Sequence, residues 1–266
     1  MTDPRTLARV YLEQQRLLGG SSVVREDTGP PARAATGAAA ASPAPVAAPA
    51  TPPVPTPGPP LPAPGIRWEP PASTDLFTAD PVREATSLEA LASLVAACTR
   101  CRLCESRTHT VPGEGPPDAR LLVVGEGPGR TEDETGRPFV GQAGELLTKI
   151  LAAIDLPRDR VYICNVVKCR PPENRVPQFD EIAACVPYLF RQIELVRPKV
   201  ILAMGGTAAQ TMLNSKQSLG AMRNQVHRFR GIPVIVTYHP AALLRNPNWK
   251  KPTWDDVRIA RRILDD

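Results

Sequence analysis

Leu121-Leu122-Val123-Val124-Gly125-Glu126-Gly127-Pro128-Gly129 is a short apolar run stopped by a glycine turn. Four large aliphatic residues without polar alternation predict a strand buried on both faces, as parallel sheets contain. The same grammar repeats outward from it. Gln142–Ile154 has helical spacing at Leu146, Leu147, Ile150, Leu151 and Ile154, Val161–Val167 reads as a second strand, and Phe179–Val196 as a helix. Val200–Met204 predicts a third strand that opens into Gly205-Gly206 and a short helix. Val234–Val236 predicts a fourth strand and Trp254–Leu264 a closing helix, while a helix around Ser87–Ala97 stands on the N-terminal side. Apolar strands alternating with helices predict an α/β protein, with a central, mainly parallel four-stranded sheet covered on both faces.

The 266 residues divide unevenly. Residues 29–65 hold 13 prolines and one charged side chain, Arg33. Such a stretch buries too little apolar surface to offset its ordering entropy. Three parts are therefore expected: an amphipathic helix within 1–20 (Leu7, Val10, Tyr11, Leu17, Leu18), a disordered Ala/Pro-rich linker over 21–74, and a folded domain over 75–266. An isolated helix this short is marginal in water, so it is expected to dock on the core or on a partner. No apolar run approaches the roughly 18–20 residues that cross a bilayer and no signal-peptide core is present, so a soluble, cytoplasmic chain is expected.

Charge is also uneven. From Thr74 to Asp155 there are 8 Lys/Arg against 13 Asp/Glu, and from Leu156 to Asp266 there are 18 against 9. A basic C-terminal half suits a polyanionic partner, because neutralising phosphates releases counterions.

In parallel sheets ligands bind beyond the carboxyl ends of the strands. Gly125-Glu126-Gly127, Asn165 and Tyr238-His239-Pro240 all stand at such ends. The glycine turn is not a dinucleotide fingerprint: G-x-G-x-x-G needs glycine where Arg130 stands, and Pro128 removes a backbone donor. What the turn offers is close backbone approach to a flat ligand, with Gly127 beside it and Glu126 aimed into the cleft.

Cys98, Cys101 and Cys104 precede the sheet, and Cys164, Cys169 and Cys185 follow its first strand. In an intracellular chain this usage points to metal rather than disulfides. Thiolates from two distant segments bind Zn2+ or a [4Fe–4S] cluster, and spacing alone does not choose.

Three motifs then occur in order. Gly125-Glu126-Gly127-Pro128-Gly129 with Glu132-Asp133, Gly136-Arg137-Pro138-Phe139-Val140-Gly141 and Ala143-Gly144 resembles the first motif of family 4 uracil-DNA glycosylases. Asn165-Val166-Val167-Lys168-Cys169-Arg170-Pro171-Pro172 and His239-Pro240-Ala241-Ala242-Leu243-Leu244-Arg245 resemble its later motifs. The likeness runs from about Cys98 to Leu264 and leaves out the N-terminal helix and linker. It implies a three-layer α/β/α fold and a structural [4Fe–4S] cluster held by Cys98, Cys101, Cys169 and Cys185, with Cys104 and Cys164 as non-ligands.

The chemistry implied is extrusion of uracil from DNA and hydrolysis of its N-glycosidic bond, leaving an abasic site and free uracil. Phe139 is expected to stack on the base and Asn165 to read it, since a carboxamide sets one donor beside one acceptor. His239 is expected to hydrogen-bond O2 as negative charge grows there. Glu126 is assigned to the water and Glu132 to a wall near C5 that excludes thymine's methyl group. Lys168, Arg170 and Arg245 are expected at phosphates, and Leu243 or Leu244 in the gap left by the flipped base. His109 and His227 are expected to be structural or surface residues. The working unit is expected to be a monomer acting on single- or double-stranded DNA, with a repair or replication protein caught by residues 1–20.

Two other readings compete. One is a uracil-DNA binder that traps its substrate covalently, but the nucleophilic His of such a branch has no counterpart in Arg170-Pro171-Pro172-Glu173-Asn174-Arg175. The other is an iron–sulfur electron carrier or zinc-bound nucleic-acid module, which leaves Phe139, Asn165 and His239 without a task.

Overall fold

The computed structural model describes residues 60–70 and 80–266. The expected helix within 1–20 and most of the expected linker lie outside the described residues.

Three strands set the centre of the sheet: β2 (Leu121–Gly125), β3 (Val161–Asn165) and β4 (Val200–Met204), every residue of them buried. β2 pairs in parallel with β3 on one side and β4 on the other, and β4 pairs in parallel with β6 (Ile232–Thr237). These are the four strands the sequence predicts. The sheet nevertheless has six strands, β1 (Pro64–Trp68) and β5 (Val226–Phe229) being added at one edge, in the order β1-β5-β6-β4-β2-β3, and it is mixed. β5 (Val226–Phe229) runs antiparallel to β6 through the tight turn Arg230-Gly231, whose residues both have positive φ. A four-residue strand containing His227 and Arg228 lacks the apolar run by which the others are recognised.

The sixth strand corrects the linker boundary. β1 (Pro64–Trp68) lies inside the expected 21–74 linker yet pairs in parallel with β5. Trp68 packs against Phe190 and Phe229, with ring centroids 5.7 and 5.5 Å apart. The Ile66 amide donates to Nδ1 of buried His227 at 2.8 Å, and the other ring nitrogen of His227 meets the Met222 carbonyl at 2.6 Å. A proline-rich stretch thus gains order from a sheet edge whose partners lie far along the chain.

Successive side chains of a strand point to opposite faces, and each face builds its own core. Leu122 and Val124 pack with α2 (Leu88–Ala96), α5 (Phe179–Val196) and α6 (Gly206–Leu213), through Leu91, Val95, Leu189, Ile193 and Met212. Leu121 and Val123 pack with α4 (Gln142–Ala152) and α9 (Lys250–Asp265), through Leu147, Ile150, Val257 and Ala260. Short helices α1 (Pro81–Glu84), α3 (Arg130–Thr135), α7 (Leu219–Met222) and α8 (Pro240–Arg245) complete the layers. Among the described residues no helix is long and apolar enough to cross a membrane.

Candidate active site

The carboxyl ends of β2, β3, β4 and β6 open into one cleft of about 810 Å3, lined by Glu126, Gly127, Glu132, Phe139, Asn165 and His239 among others. All six were expected from the sequence at a common site, and the structure brings all six together.

Phe139 is held in an unusual backbone state. Its φ is +52°, a left-handed conformation that non-glycine residues seldom adopt, and its side chain is buried. Two clamps impose it. One oxygen of the Glu132 carboxylate accepts from the amides of Val140 and Gly141, both at 2.9 Å, and the other from Gly129 at 3.1 Å. Arg158 donates to the carbonyls of Phe139 (2.8 Å) and Pro138 (2.5 Å) from the other side. Glu132 lines the cleft while tying the glycine turn to the Phe139 loop. Gly144 is required here, because a Cβ at that position would lie 1.8 Å from the Phe139 carbonyl oxygen.

Asn165 and Gly125 are register partners at the ends of β3 and β2. A Cβ on Gly125 would sit 2.4 Å from Asn165 Oδ1 and 2.5 Å from Phe139 Cζ, so the glycine lets ring and carboxamide converge. Asn165 is 1% exposed, and its Oδ1 has no hydrogen-bond partner. A buried acceptor left unpaired is costly, and it marks a place prepared for a donor.

His239 enters from the end of β6. The Ala241 amide donates to its Nδ1 at 3.2 Å, which leaves the ring proton on Nε2. Burial, aided by the charge of Arg245, lowers its pKa to about 4, so the ring is neutral at pH 7 and Nε2–H is a donor. Its ring stacks against that of Phe139. Glu126 is fixed by Thr207, whose hydroxyl donates to Oε2 at 2.5 Å.

Two expected DNA contacts are corrected. Lys168 is 1% exposed, and its ammonium donates to the Asn165 carbonyl and to Gln192 Oε1, both at 2.6 Å. Burial puts it out of reach of a phosphate, and its role is to brace the backbone of Asn165. Leu243 is likewise buried in the core of α4 and α9, because its helix turns it inward. Leu244, beside it, is 48% exposed. Arg245 is exposed and lines the cleft, and half-buried Arg170 donates to Asn174 Oδ1 at 2.8 Å.

The cysteines form a second centre. Cys98, Cys101, Cys169 and Cys185 line one small cavity together with Cys104, whereas Cys164 is buried in the core. Arg100, Arg107 and Lys168 are its charged lining residues, with no carboxylate among them. Arg107 donates to Cys169 Sγ at 3.2 Å and to the Cys98 carbonyl at 2.8 Å, and the Lys168 amide donates to Cys185 Sγ at 3.3 Å. Among the described residues no three His, Cys, Asp or Glu side chains converge tightly enough for a single metal ion. The sulfurs instead surround a volume, with N–H donors aimed at them, which fits the donor set of a thiolate-held cluster.

Thr207, Arg158, Gln192 and Arg107 were not foreseen. Each supports the site from a distant segment, and none lies in a motif that marks it.

The family model described as the uracil DNA glycosylase superfamily matches residues 112–258, and the chain belongs to that superfamily. Within it, the chain is similar to the type-4 uracil-DNA glycosylase of Thermotoga maritima, 50% identical over 181 residues that cover 66% of this chain and 94% of the relative. It is 44% identical over 189 residues to the type-4 enzyme of Sulfurisphaera tokodaii, covering 66% and 84%. A type-5 uracil-DNA glycosylase of Pyrobaculum aerophilum is more distant, 34% identical over 150 residues, covering 50% and 66%. The chain is a member of the type-4 uracil-DNA glycosylases, DNA-repair hydrolases that remove uracil.

Proposed function

We propose that uracil extruded from DNA enters the cleft lined by Phe139, Asn165 and His239 and is hydrolysed there from its deoxyribose. The observation that carries these assignments is the unpartnered Oδ1 of Asn165, buried beside the Phe139 ring in a cleft that also holds a neutral imidazole donor. Uracil offers an N3–H donor beside the O4 acceptor, and Asn165 meets the pair with Oδ1 and Nδ2. Cytosine inverts that pair and leaves the buried amide mismatched, which is the basis of discrimination. Phe139 covers the face of the base, and Glu132 holds the loop that presents it.

As the C1′–N1 bond breaks, its electron pair leaves with the uracil and charge accumulates on O2. His239 Nε2–H donates to that oxygen; a preorganised donor of this kind is worth on the order of 10²–10³ in rate. Glu126, with Oε2 held by Thr207, keeps Oε1 for a water directed at C1′ and takes the proton that this water loses. The carboxylate also favours the positive charge that develops on the sugar. Arg170 and Arg245 contact phosphates beside the cleft, and Leu244 occupies the vacated stack.

A [4Fe–4S] cluster on Cys98, Cys101, Cys169 and Cys185 is part of the same reading; when bound it would cross-link the segment between α2 and β2 to the loop after β3 and to α5. Hydrolysis needs no redox step, so the chain's own residues perform the chemistry. The protein acts as a monomer in the compartment that holds the DNA, the cytoplasm with its nucleoid. Residues 1–20 serve a repair or replication partner, and the linker ends before β1.

The decisive assay incubates the protein with uracil-containing oligonucleotides. Free uracil, released over many turnovers, is expected. A denaturation-resistant protein–DNA adduct in place of release would overturn the hydrolytic assignment. Brown protein with broad visible absorption, bleached as iron is removed, is expected for the cluster, and a colourless zinc-bearing protein would overturn it.

A further inference from the structure

We propose that Tyr238 and Trp249 form a seat for an unpaired base flanking the extruded uracil, so that single-stranded DNA is the form this site grips; the proposal rests on the glycosylase reading above. The two rings lie 4.7 Å apart at an interplanar angle of 4°, a parallel stack. Tyr238 directly precedes His239, so the stack begins where the catalytic donor is held. Both rings line the same cleft as Phe139 and Asn165.

The stack is anchored from behind. The Arg223 guanidinium lies 4.6 Å from the centre of the Tyr238 ring. Arg223 donates to buried Asp256 at 2.7 Å and to the Pro252 carbonyl at 2.9 Å, and the Thr237 hydroxyl donates to Asp256 at 2.7 Å. Through Asp256, Arg223 thus ties the Tyr238 ring to α9, and the indole of Trp249 stacks on that ring. Trp249, at the N-cap of α9, is 36% exposed, whereas Trp254 within that helix is 8% exposed. A rigidly stacked indole left partly open on a DNA-facing cleft is in the state expected of a platform that a further ring extends.

A nucleobase is such a ring. Stacking on an aromatic side chain tolerates any base, because every base has a π-face. A base inside a duplex is already stacked on both sides and paired, so it reaches the platform only by leaving the helix. In a single strand the neighbour of the flipped uracil does so at little cost. Arg245 and Leu244, exposed on the adjoining helix α8, border the same path.

The test uses full-length protein and fluorescein-labelled single strands in which uracil sits on a 2′-fluorinated sugar, which resists cleavage. Three strands are compared: one intact, one abasic on the 5′ side of the uracil and one abasic on the 3′ side. Wild type is expected to bind one of the abasic strands about ten-fold more weakly than the intact strand. Trp249→Ala is expected to lose about ten-fold on the intact strand and less than about two-fold on that same abasic strand, with Trp249→Phe retaining most of the affinity. Equal losses on all three strands, or no loss in either the variant or the wild-type comparison, would overturn the seat. Uracil release by wild type from an ordinary strand is scored separately, so failure of the glycosylase reading is distinguishable from failure of the platform.

Discussion

The ring of Phe139 lies 5.4 Å from that of His239, the two planes inclined by 29°. One comes from a loop clamped in left-handed backbone by Glu132 and Arg158, the other from the end of β6. The Phe139 ring and the buried Oδ1 of Asn165 converge at Gly125, and His239 lines the same cleft.

Asn165 is a site where function costs stability. Its carboxamide oxygen is buried without a donor, a state that costs about 1–3 kcal/mol. Asn165→Ala is therefore expected to lower kcat/KM for uracil by about 10² while leaving thermal stability unchanged or raised by about 1 kcal/mol. Parallel measurement of uracil release and Tm checks both halves. A variant that loses stability together with activity would show the side chain to be structural.

His239 should titrate far from an ordinary imidazole. Its folded pKa is about 4, set first by burial and then by the charge of Arg245, with Glu132 opposing. The neutral donor therefore persists below the usual pH of about 6.5, and the His239-dependent limb of kcat falls only near pH 4. The unfolded chain binds this proton first, so the native state loses stability as pH falls from about 6.5 towards 4. Arg245→Gln removes a positive charge that lowers the pKa and is expected to shift that limb upward. A limb at pH 6.5 in the parent protein would contradict this.

Thr207 acts through Glu126. Thr207→Val removes the 2.5 Å hydrogen bond and lets the carboxylate swing, which is expected to lower kcat about ten-fold with little change in KM. Thr207→Ser should restore most of the rate. A rise in KM at constant kcat would instead place Thr207 in substrate binding.

Lys168 and Arg245 should separate cleanly in DNA-binding experiments. Lys168→Met strands the Asn165 carbonyl and Gln192 without their shared donor, and is expected to cost about 1–3 kcal/mol of stability without altering the salt slope of binding. Arg245→Ala should leave stability within about 0.5 kcal/mol and flatten that slope by about one. A reduced slope in Lys168→Met, with stability intact, would reinstate Lys168 as a phosphate contact.

Local pattern made the central strands legible. Leu121–Val124 and Val200–Met204 are apolar on both faces, and in alternation with amphipathic helices such runs indicate a covered parallel sheet. The same holds for Gly125, Asn165 and His239, because strand ends in such a sheet converge on one rim. β1 and β5 were invisible for a matching reason: their order comes from each other, through His227 and Trp68, and not from their own composition.

Roles that depend on the direction of a side chain were decided only by the fold. Lys168 and Leu243 sit in the right motifs, yet the chain turns one beneath Asn165 and the other into the core between α4 and α9. Residue types and their order along the chain thus determined the layers of the sheet and the rim where the chemistry gathers. Which charges face DNA, which hydroxyl steadies Glu126 and which ring is left open at the cleft were settled by packing between segments far apart in sequence, since burial is a property of the assembled core.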